Sequence, residues 1–551
     1  DSYTELDEER KAVTSVGVPY YSRKNTSYTE TNYDLLATVD KNLSKQFNLK
    51  ALLGTNIRKQ NTQSIYAITN GGLIVPGIYS LSNSANAPNA PYEYKGLREV
   101  DGVFAGATLT YNNLLTLDGT IRRDKSSTLP ASNNTYYYPS VSGGFIFSEL
   151  LKQLSWLSYG KLRANYAQVG GDAPIYSVLD TYTVPPPFNG NPQSAVNTTK
   201  NNPDLKPERT KSAEVGLEFD LFDNRLGFNG SYYTTETFDQ ILGVNVSTAT
   251  GYSFKFLNAG TVKNKGIELS LNGTPIRTQD FNWKVTLNYT RNRNKVTELF
   301  KDGTGEEAKN LELNSFQGGV SINATLDQPY GTIRGTDYIY DKTTGQKVVG
   351  ANGQYLQSGP TATIGNTNPD WIGGINNSFT YKGFNLSFLI DVRKGGSVFS
   401  TDMYYGLATG LYQETAYTND LGNPVRNTLA TGGGLIRPGV KEDGTPNTTR
   451  VAASYGAFGY VRLPNKAFVY DAGFVKLREA IVGYTLPQKT IAKLPIKEVT
   501  FQLIGRNLWI IHKNLPYADP EDGLSSGNLQ GYQVGSYPTT RTISLNLKLR
   551  F

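Results

Sequence analysis

The sequence predicts an all-β chain and, within that class, a transmembrane antiparallel β-barrel with long extracellular loops and short periplasmic turns. Three observations carry this expectation. Apolar and polar residues alternate with period two through many segments. The connections alternate between tight turns and long loops. All four tryptophans, Trp156, Trp283, Trp371 and Trp509, fall at predicted strand ends.

The alternation is cleanest from Lys211 to Phe222, where Ala213, Val215, Leu217, Phe219 and Leu221 interleave with Ser212, Glu214, Gly216, Glu218 and Asp220. One face is apolar and the other carries three carboxylates. Ile543, Leu545, Leu547, Leu549 and Phe551 repeat the pattern, as do Trp283, Val285, Leu287 and Tyr289. A membrane barrel and a soluble sandwich both produce such strands, so the connections must separate them. About sixteen strand candidates begin near residues 14, 28, 45, 97, 114, 137, 156, 211, 225, 264, 281, 371, 384, 471, 498 and 541. Asn112-Asn113, Asp223-Asn224 and Lys382-Gly383 have hairpin-turn chemistry. Long linkers run from about Asn61 to Glu93, Gly170 to Thr210, Thr297 to Asp370, Gly395 to Tyr470 and Ile511 to Thr540, each after an odd-numbered strand. That segregation puts every long loop at one end of the strands, the pattern of outer-membrane barrels. The tryptophans fit it as two interfacial girdles, Trp156 and Trp283 at the short-turn end, Trp371 and Trp509 at the other.

Composition narrows the chemistry. The chain has 551 residues with 0 Cys, 1 His and 1 Met, which excludes disulfides, thiol nucleophiles and cysteine-ligated metals. No apolar run approaches the roughly 18 residues of a membrane helix. The net charge of +7 is scattered, which gives no footprint for nucleic acid. Asp1-Ser2-Tyr3 shows no leader and the one methionine is Met403, so a processed or partial product is expected. No phosphate loop, His-Glu-x-x-His or Gly-x-Ser-x-Gly occurs, and His512 lies in an apolar strand end. The expectation is no enzyme, no catalytic residues and no metal site. Asp519-Pro520-Glu521-Asp522-Gly523 lacks the spaced ligands of a calcium loop, which leaves calcium in the loops or a partner as the one cofactor still open.

Two sets of residues are candidates for function. Tyr404, Tyr405, Tyr412, Tyr455, Phe458 and Tyr460 share one long loop, where aromatic faces suit capture of a glycan or peptide. Packing of the loop on itself or on a partner is the competing reading. Glu214, Glu218, Asp220 and Glu268, opposed by Arg163, Lys284, Arg393 and Arg506, are candidate lumen charges of mixed sign.

Specific motifs go further. Asn202-Pro203-Asp204-Leu205-Lys206-Pro207-Glu208-Arg209-Thr210, followed by Glu214-Val215-Gly216-Leu217-Glu218, resembles a signature of TonB-dependent outer-membrane receptors, and Asn264-Lys265-Gly266-Ile267-Glu268-Leu269 resembles the strand that follows it. Gly365-Asn366-Thr367-Asn368-Pro369-Asp370-Trp371, Asp391-Val392-Arg393-Lys394-Gly395-Gly396, Tyr470-Asp471-Ala472-Gly473-Phe474-Val475-Lys476-Leu477-Arg478-Glu479 and Tyr537-Pro538-Thr539-Thr540-Arg541 are similar to the SusC/RagA subfamily. The resemblance implies a bacterial outer-membrane barrel of 22 strands with an N-terminal plug, energised through TonB. It also implies a SusD-like surface lipoprotein lid, import of glycans or peptides, and a dimer of such pairs. About 16 of those 22 strands are expected here, with the plug and first strands absent, so residues 1–551 are expected to be the C-terminal barrel portion. A self-contained 16-stranded passive porin and a soluble, secreted β-rich glycan-binding protein are the alternative readings.

Overall fold

The structure is a computed structural model that describes every residue except 13–16, 186, 302–304, 455, 494, 524–526 and 528. Sixteen strands hydrogen-bond in strict sequence order into one antiparallel sheet. They are β1 (Ser2–Lys11), β2 (Tyr20–Asn42), β3 (Phe47–Ile68), β4 (Tyr92–Tyr111), β5 (Leu115–Ser126), β6 (Thr135–Phe145), β7 (Leu157–Gly171) and β8 (Glu208–Leu221). The second half comprises β9 (Leu226–Phe238), β10 (Thr261–Arg277), β11 (Phe281–Glu298), β12 (Trp371–Tyr381), β13 (Phe384–Lys394), β14 (Phe474–Thr485), β15 (Glu498–Lys513) and β16 (Thr542–Arg550). From β3 onward the expected starts agree to within about five residues.

The first two strands differ from expectation. The start expected near residue 14 lies outside the described residues, whereas β1 runs through Ser2–Lys11 and β2 begins at Tyr20 rather than near 28. The reason is chemical: Glu8-Glu9-Arg10-Lys11 and Ser22-Arg23-Lys24-Asn25 are polar on both faces, so they pair as strands without any alternation to reveal them. β2 and β3, of 23 and 22 residues, far exceed the roughly 9–11 residues that cross a bilayer, so their polar ends continue into water.

The tight turns show why their sequences were legible. Lys382 and Gly383 take φ of 45° and 92°, the left-handed pair of the two-residue hairpin that joins Tyr381 to Phe384. Asn112 and Asn113 are left-handed at 49° and 56° in the turn between Tyr111 and Leu115, and Phe222, Asp223 and Asn224 at 55°, 55° and 61° in the turn between Leu221 and Leu226. Long connections follow β3, β7, β9, β11, β13 and β15, and β13 leads through Ser397–Ser400 into helix α1 (Thr401–Thr409).

Two compact units are defined. One comprises Asp1–Phe145, Arg163–Ala213 and Glu236–Thr261, the other Ile146–Leu162, Glu214–Thr235 and Val262–Phe551. In the first, Leu205 is 0% exposed and packs with Leu129, Tyr136 and Ala173. Asn133 donates to the carbonyls of Asp204 and Leu205, and Asn258 bonds both the amide and the carbonyl of Lys206. The Asn202–Pro207 motif is thus a buried leucine plug with a hydrogen-bonded backbone on either side. In the second unit a cluster of Val320, Ile322, Ile333, Ile364, Phe399, Met403, Phe468 and Tyr532 forms among the long connections after β11, β13 and β15 themselves.

Register sorts the side chains of the second unit into rows. Trp283 opposes Phe379, then Leu386, Val482, Leu503 and Leu545 follow across successive strands. One residue away, Asn282, Thr380, Asn385, Gly483, Gln502 and Asn546 form the opposite face. Leu386, Val482, Leu503 and Leu545 are all exposed, so the apolar row faces outward with none of the described residues packed over these four. Asn377 interrupts this face next to Val285, and the Trp283 Nε1–H donates to its Oδ1 at 3.1 Å. In the first unit Ala37, Leu53, Ala105, Ile121 and Pro139 make the corresponding row.

Candidate functional site

The loop after β13 of the second unit carries the candidate aromatics. Ser400 caps α1 by accepting from the Met403 amide, and Gly410 closes it at φ 76°. This turns Tyr404 onto Tyr460 at 4.6 Å and edge-on to Phe468 at 5.1 Å, with Tyr405 edge-on to Tyr404 at 4.9 Å. Tyr412 stacks on Tyr517 at 4.2 Å, whose hydroxyl donates to Glu414. Phe458 meets Tyr417 edge-on at 6.2 Å, and Tyr455 lies outside the described residues. The five described aromatics are half-buried, each with one edge in packing and the other reachable.

The loops after β11 and β13 also share a cationic aromatic stack. Arg437 is 4% exposed, donates to Gln354 and to the Ala457 carbonyl, and lies over Tyr355 at 5.3 Å. Tyr355 is edge-on to Tyr338, over which the Lys347 ammonium lies at 3.7 Å. Burial pushes the Tyr338 phenol up and the Lys347 ammonium down from their ordinary values.

The densest electrostatic feature lies on the polar face of β14 and arises from one extra residue. Leu389 opposes Glu479 while the next residue, Ile390, opposes Leu477, which leaves Arg478 as a bulge. Without it, the alternation of Tyr484, Val482 and Ala480 would carry Lys476 onto the apolar row. With it, Lys476 opposes Asp391 on the polar face. The Lys476 Nζ donates to Asp519 Oδ1 and Glu521 Oε2, both at 2.6 Å. Arg478 donates to Asp391 at 2.7 Å and forks onto Glu521 at 2.6 and 2.5 Å. Thr539 and the Glu521 amide complete the shell of Asp519. The Lys476 and Asp519 side chains are 4% and 3% exposed. Burial raises the Asp519 and Glu521 carboxyls, but hydrogen bonds outweigh it, from Lys476 on Asp519 and from Arg478 and Lys476 on Glu521, and hold both below the ordinary carboxylate range. The loop from Leu515 to Asp522 is thereby fastened to β13 and β14.

Among the expected lumen charges, Arg506 pairs with Glu479 at 2.9 Å, Arg393 donates to the Thr367 carbonyl and Lys284 opposes Ser378 on the polar face. Glu214, Glu218 and Asp220 occupy alternate positions of β8; Arg163 lies on β7 and Glu268 on β10. Trp283 and Trp371 bracket the outward row, Trp371 meeting Tyr289 at 5.7 Å, while Trp156 immediately precedes β7 and Trp509 lies near the end of β15. Sequence reasoning missed the Lys476 cluster, because its acids lie more than forty residues away along the chain. Among the described residues no group of three or more metal-ligating side chains is assembled.

Comparison with known proteins agrees with this geometry. Residues 2–355, more than half of the chain, match the family model described as TonB dependent receptor-like, beta-barrel, and the chain belongs to that family. Within it the similarity runs toward SusC- and RagA-type barrels. TonB-dependent receptor P3 of Formosa agariphila is 26% identical over 532 residues, covering 92% of this chain and 50% of the relative. TonB-dependent receptor SusC of Bacteroides thetaiotaomicron is 24% identical over 456 residues, covering 78% and 42%. A chain of the RagAB peptide transporter structure matches the fold at TM-score 0.74 and 20% identity, over 100% of this chain and 58% of its own. The chain spans about half the length of the curated relatives it matches. Family and fold place it in the bacterial outer membrane as part of a β-barrel.

Proposed function

We propose that this chain is the C-terminal barrel portion of a SusC-like, TonB-dependent nutrient importer, with a plug and the first strands encoded on its N-terminal side. Its polar face lines the translocation path, its apolar rows face lipid, and its half-buried loop aromatics contact a glycan or peptide or the underside of a SusD-like lipoprotein lid. The reading includes TonB as the energy source, dimerisation of importer–lid pairs, no enzymatic step, and calcium as the only ion its loops or partner would hold. The observation that carries it is a run of sixteen sequential antiparallel strands in which the register of β2–β6 and of β11–β16 draws out apolar rows, with the long connections following odd-numbered strands. The relative named TonB-dependent receptor SusC supports the importer type, and the likeness to the RagAB peptide transporter supports the peptide class.

The test is uptake of labelled oligosaccharides and oligopeptides by cells carrying the full-length gene, with and without TonB. Uptake that disappears with TonB or the proton-motive force is expected. Uptake indifferent to both, from a polypeptide whose intact mass equals 60.5 kDa, would replace the importer with a passive porin.

A further inference from the structure

A basic stripe lies on the outward face just beyond the long-loop aromatic belt. On β10, Ile267, Leu269 and Leu271 are exposed; on β11, Leu287 is exposed and Tyr289 packs against Trp371. A Cβ on Gly273 would stand 3.2 Å from Val285 Cγ1, so the odd-numbered residues of β10 and β11 share this face, while Asn292 bonds Asn264 on the other. Continuing the same alternation past the belt gives Lys263 and Lys265 on β10, Arg291, Arg293 and Lys295 on β11, and Lys394 opposite Trp371. Arg293 pairs with Asp370 and Lys295 with Asp327. The side chains of Lys265, Arg291 and Lys394 are exposed and have no ion pair or hydrogen bond among the described residues.

Position selects the occupant. Arg291 stands two residues beyond Tyr289, roughly 7 Å along the strand, which is the depth of the headgroup layer above a hydrocarbon core about 30 Å thick. Cations fixed in that layer meet anionic headgroups, and guanidinium and ammonium donors match phosphate oxygens. At the opposite end of the same strands the belt of Trp283, Phe281, Phe379 and Phe384 is followed by a compensated pair, Asp280 with Lys382 at 3.6 Å. We propose that the β10–β13 stripe is a docking surface for the phosphate groups of outer-leaflet glycolipid, anchoring this side of the barrel at a fixed depth. The proposal rests on the membrane reading above.

The test uses the full-length protein purified in detergent and native mass spectrometry with phosphorylated or dephosphorylated lipid A as probe. The Lys265→Gln/Arg291→Gln/Lys394→Gln variant is expected to lose phosphorylated lipid A by on the order of 100-fold, from roughly fivefold per cation, with dephosphorylated lipid held weakly by both forms and Lys382→Gln unchanged. Equal retention by variant and parent overturns the proposal, as does competition by millimolar inorganic phosphate, which would make the ligand a soluble anion. Loss of a dimer without phosphate dependence also overturns it, in favour of a second copy as the occupant. Heat-modifiable gel mobility is measured alongside. A protein that shows it yet fails the lipid test sinks this proposal alone, whereas a protein soluble without detergent sinks the membrane reading itself.

Discussion

Replacing Lys476 with methionine removes the donor on which two carboxylates converge, while keeping most of the side-chain volume. Lys476 and Asp519 are almost wholly buried, so the change strands Asp519 beside only Thr539 and one amide. Breaking a buried pair from one side costs about 3–5 kcal/mol. The lower end applies here, because Arg478 still forks onto the 29%-exposed Glu521. About 3 kcal/mol is more than a hundredfold in a local opening equilibrium. Hydrogen exchange of the Leu515–Asp522 amides reads that opening directly, with amides of β11 as the internal reference. Asp519→Asn added to Lys476→Met should recover part of the protection, since it removes the orphaned charge. If the single variant leaves exchange within a few-fold of the parent, or the double variant is worse than the single, the ion cluster is not what fastens this loop.

Acid should act in the same direction. Asp519 and Glu521 titrate below their unfolded values of about 3.9 and 4.3, so their contribution is full above those values and fades as pH falls through the lower folded ones. Between neutral and about pH 3 the protection factors of the loop amides, their rates divided by the intrinsic rate at each pH, should fall only toward the acid end, and a flat protection profile would contradict the assignment. Leu287→Arg puts a charge on the outward row and should cost about 2–4 kcal/mol in refolding into bilayers, whereas Thr286→Arg on the polar face should cost far less; equal costs would invert the facing. Trp283→Phe leaves the Asn377 oxygen without its donor in the apolar row and should cost about 1–3 kcal/mol, relieved by adding Asn377→Leu. Leu205→Ala should cost about 2–5 kcal/mol in thermal unfolding, and a value near zero would show that the buried motif is not a packing plug.

Most of the sheet was legible because each strand separates two environments and so writes its facing into every second residue. Trp283 to Tyr289 and Ile543 to Phe551 are such cases, and their rows appear in the register as expected. β1 and the start of β2 were illegible because Glu8 to Lys11 and Ser22 to Asn25 are polar at successive positions, which leaves no alternation to read. The Lys476 cluster was hidden for two reasons. A bulge shifts the alternation by one, so the periodicity that identifies β14 misassigns its charged end, and the acids come from a remote loop. Tyr404, Tyr405 and Tyr460 could be grouped from their shared loop, but their stacking on one another depends on the capped turn of α1 and on Phe468.

The strict sequence order of the sheet has a kinetic consequence. Every strand borders only its predecessor and successor, so growth proceeds hairpin by hairpin, closing at most one loop at a time. The steps joined by two- to four-residue turns are fast, whereas those spanning the long loops after β11 and β13 must wait for a search that is entropically slower. Assembly of the second half should therefore pause after β11 and after β13. A register error made at either pause would be copied by every later strand, which gives left-handed turns such as Lys382-Gly383 a proofreading value beyond their local geometry.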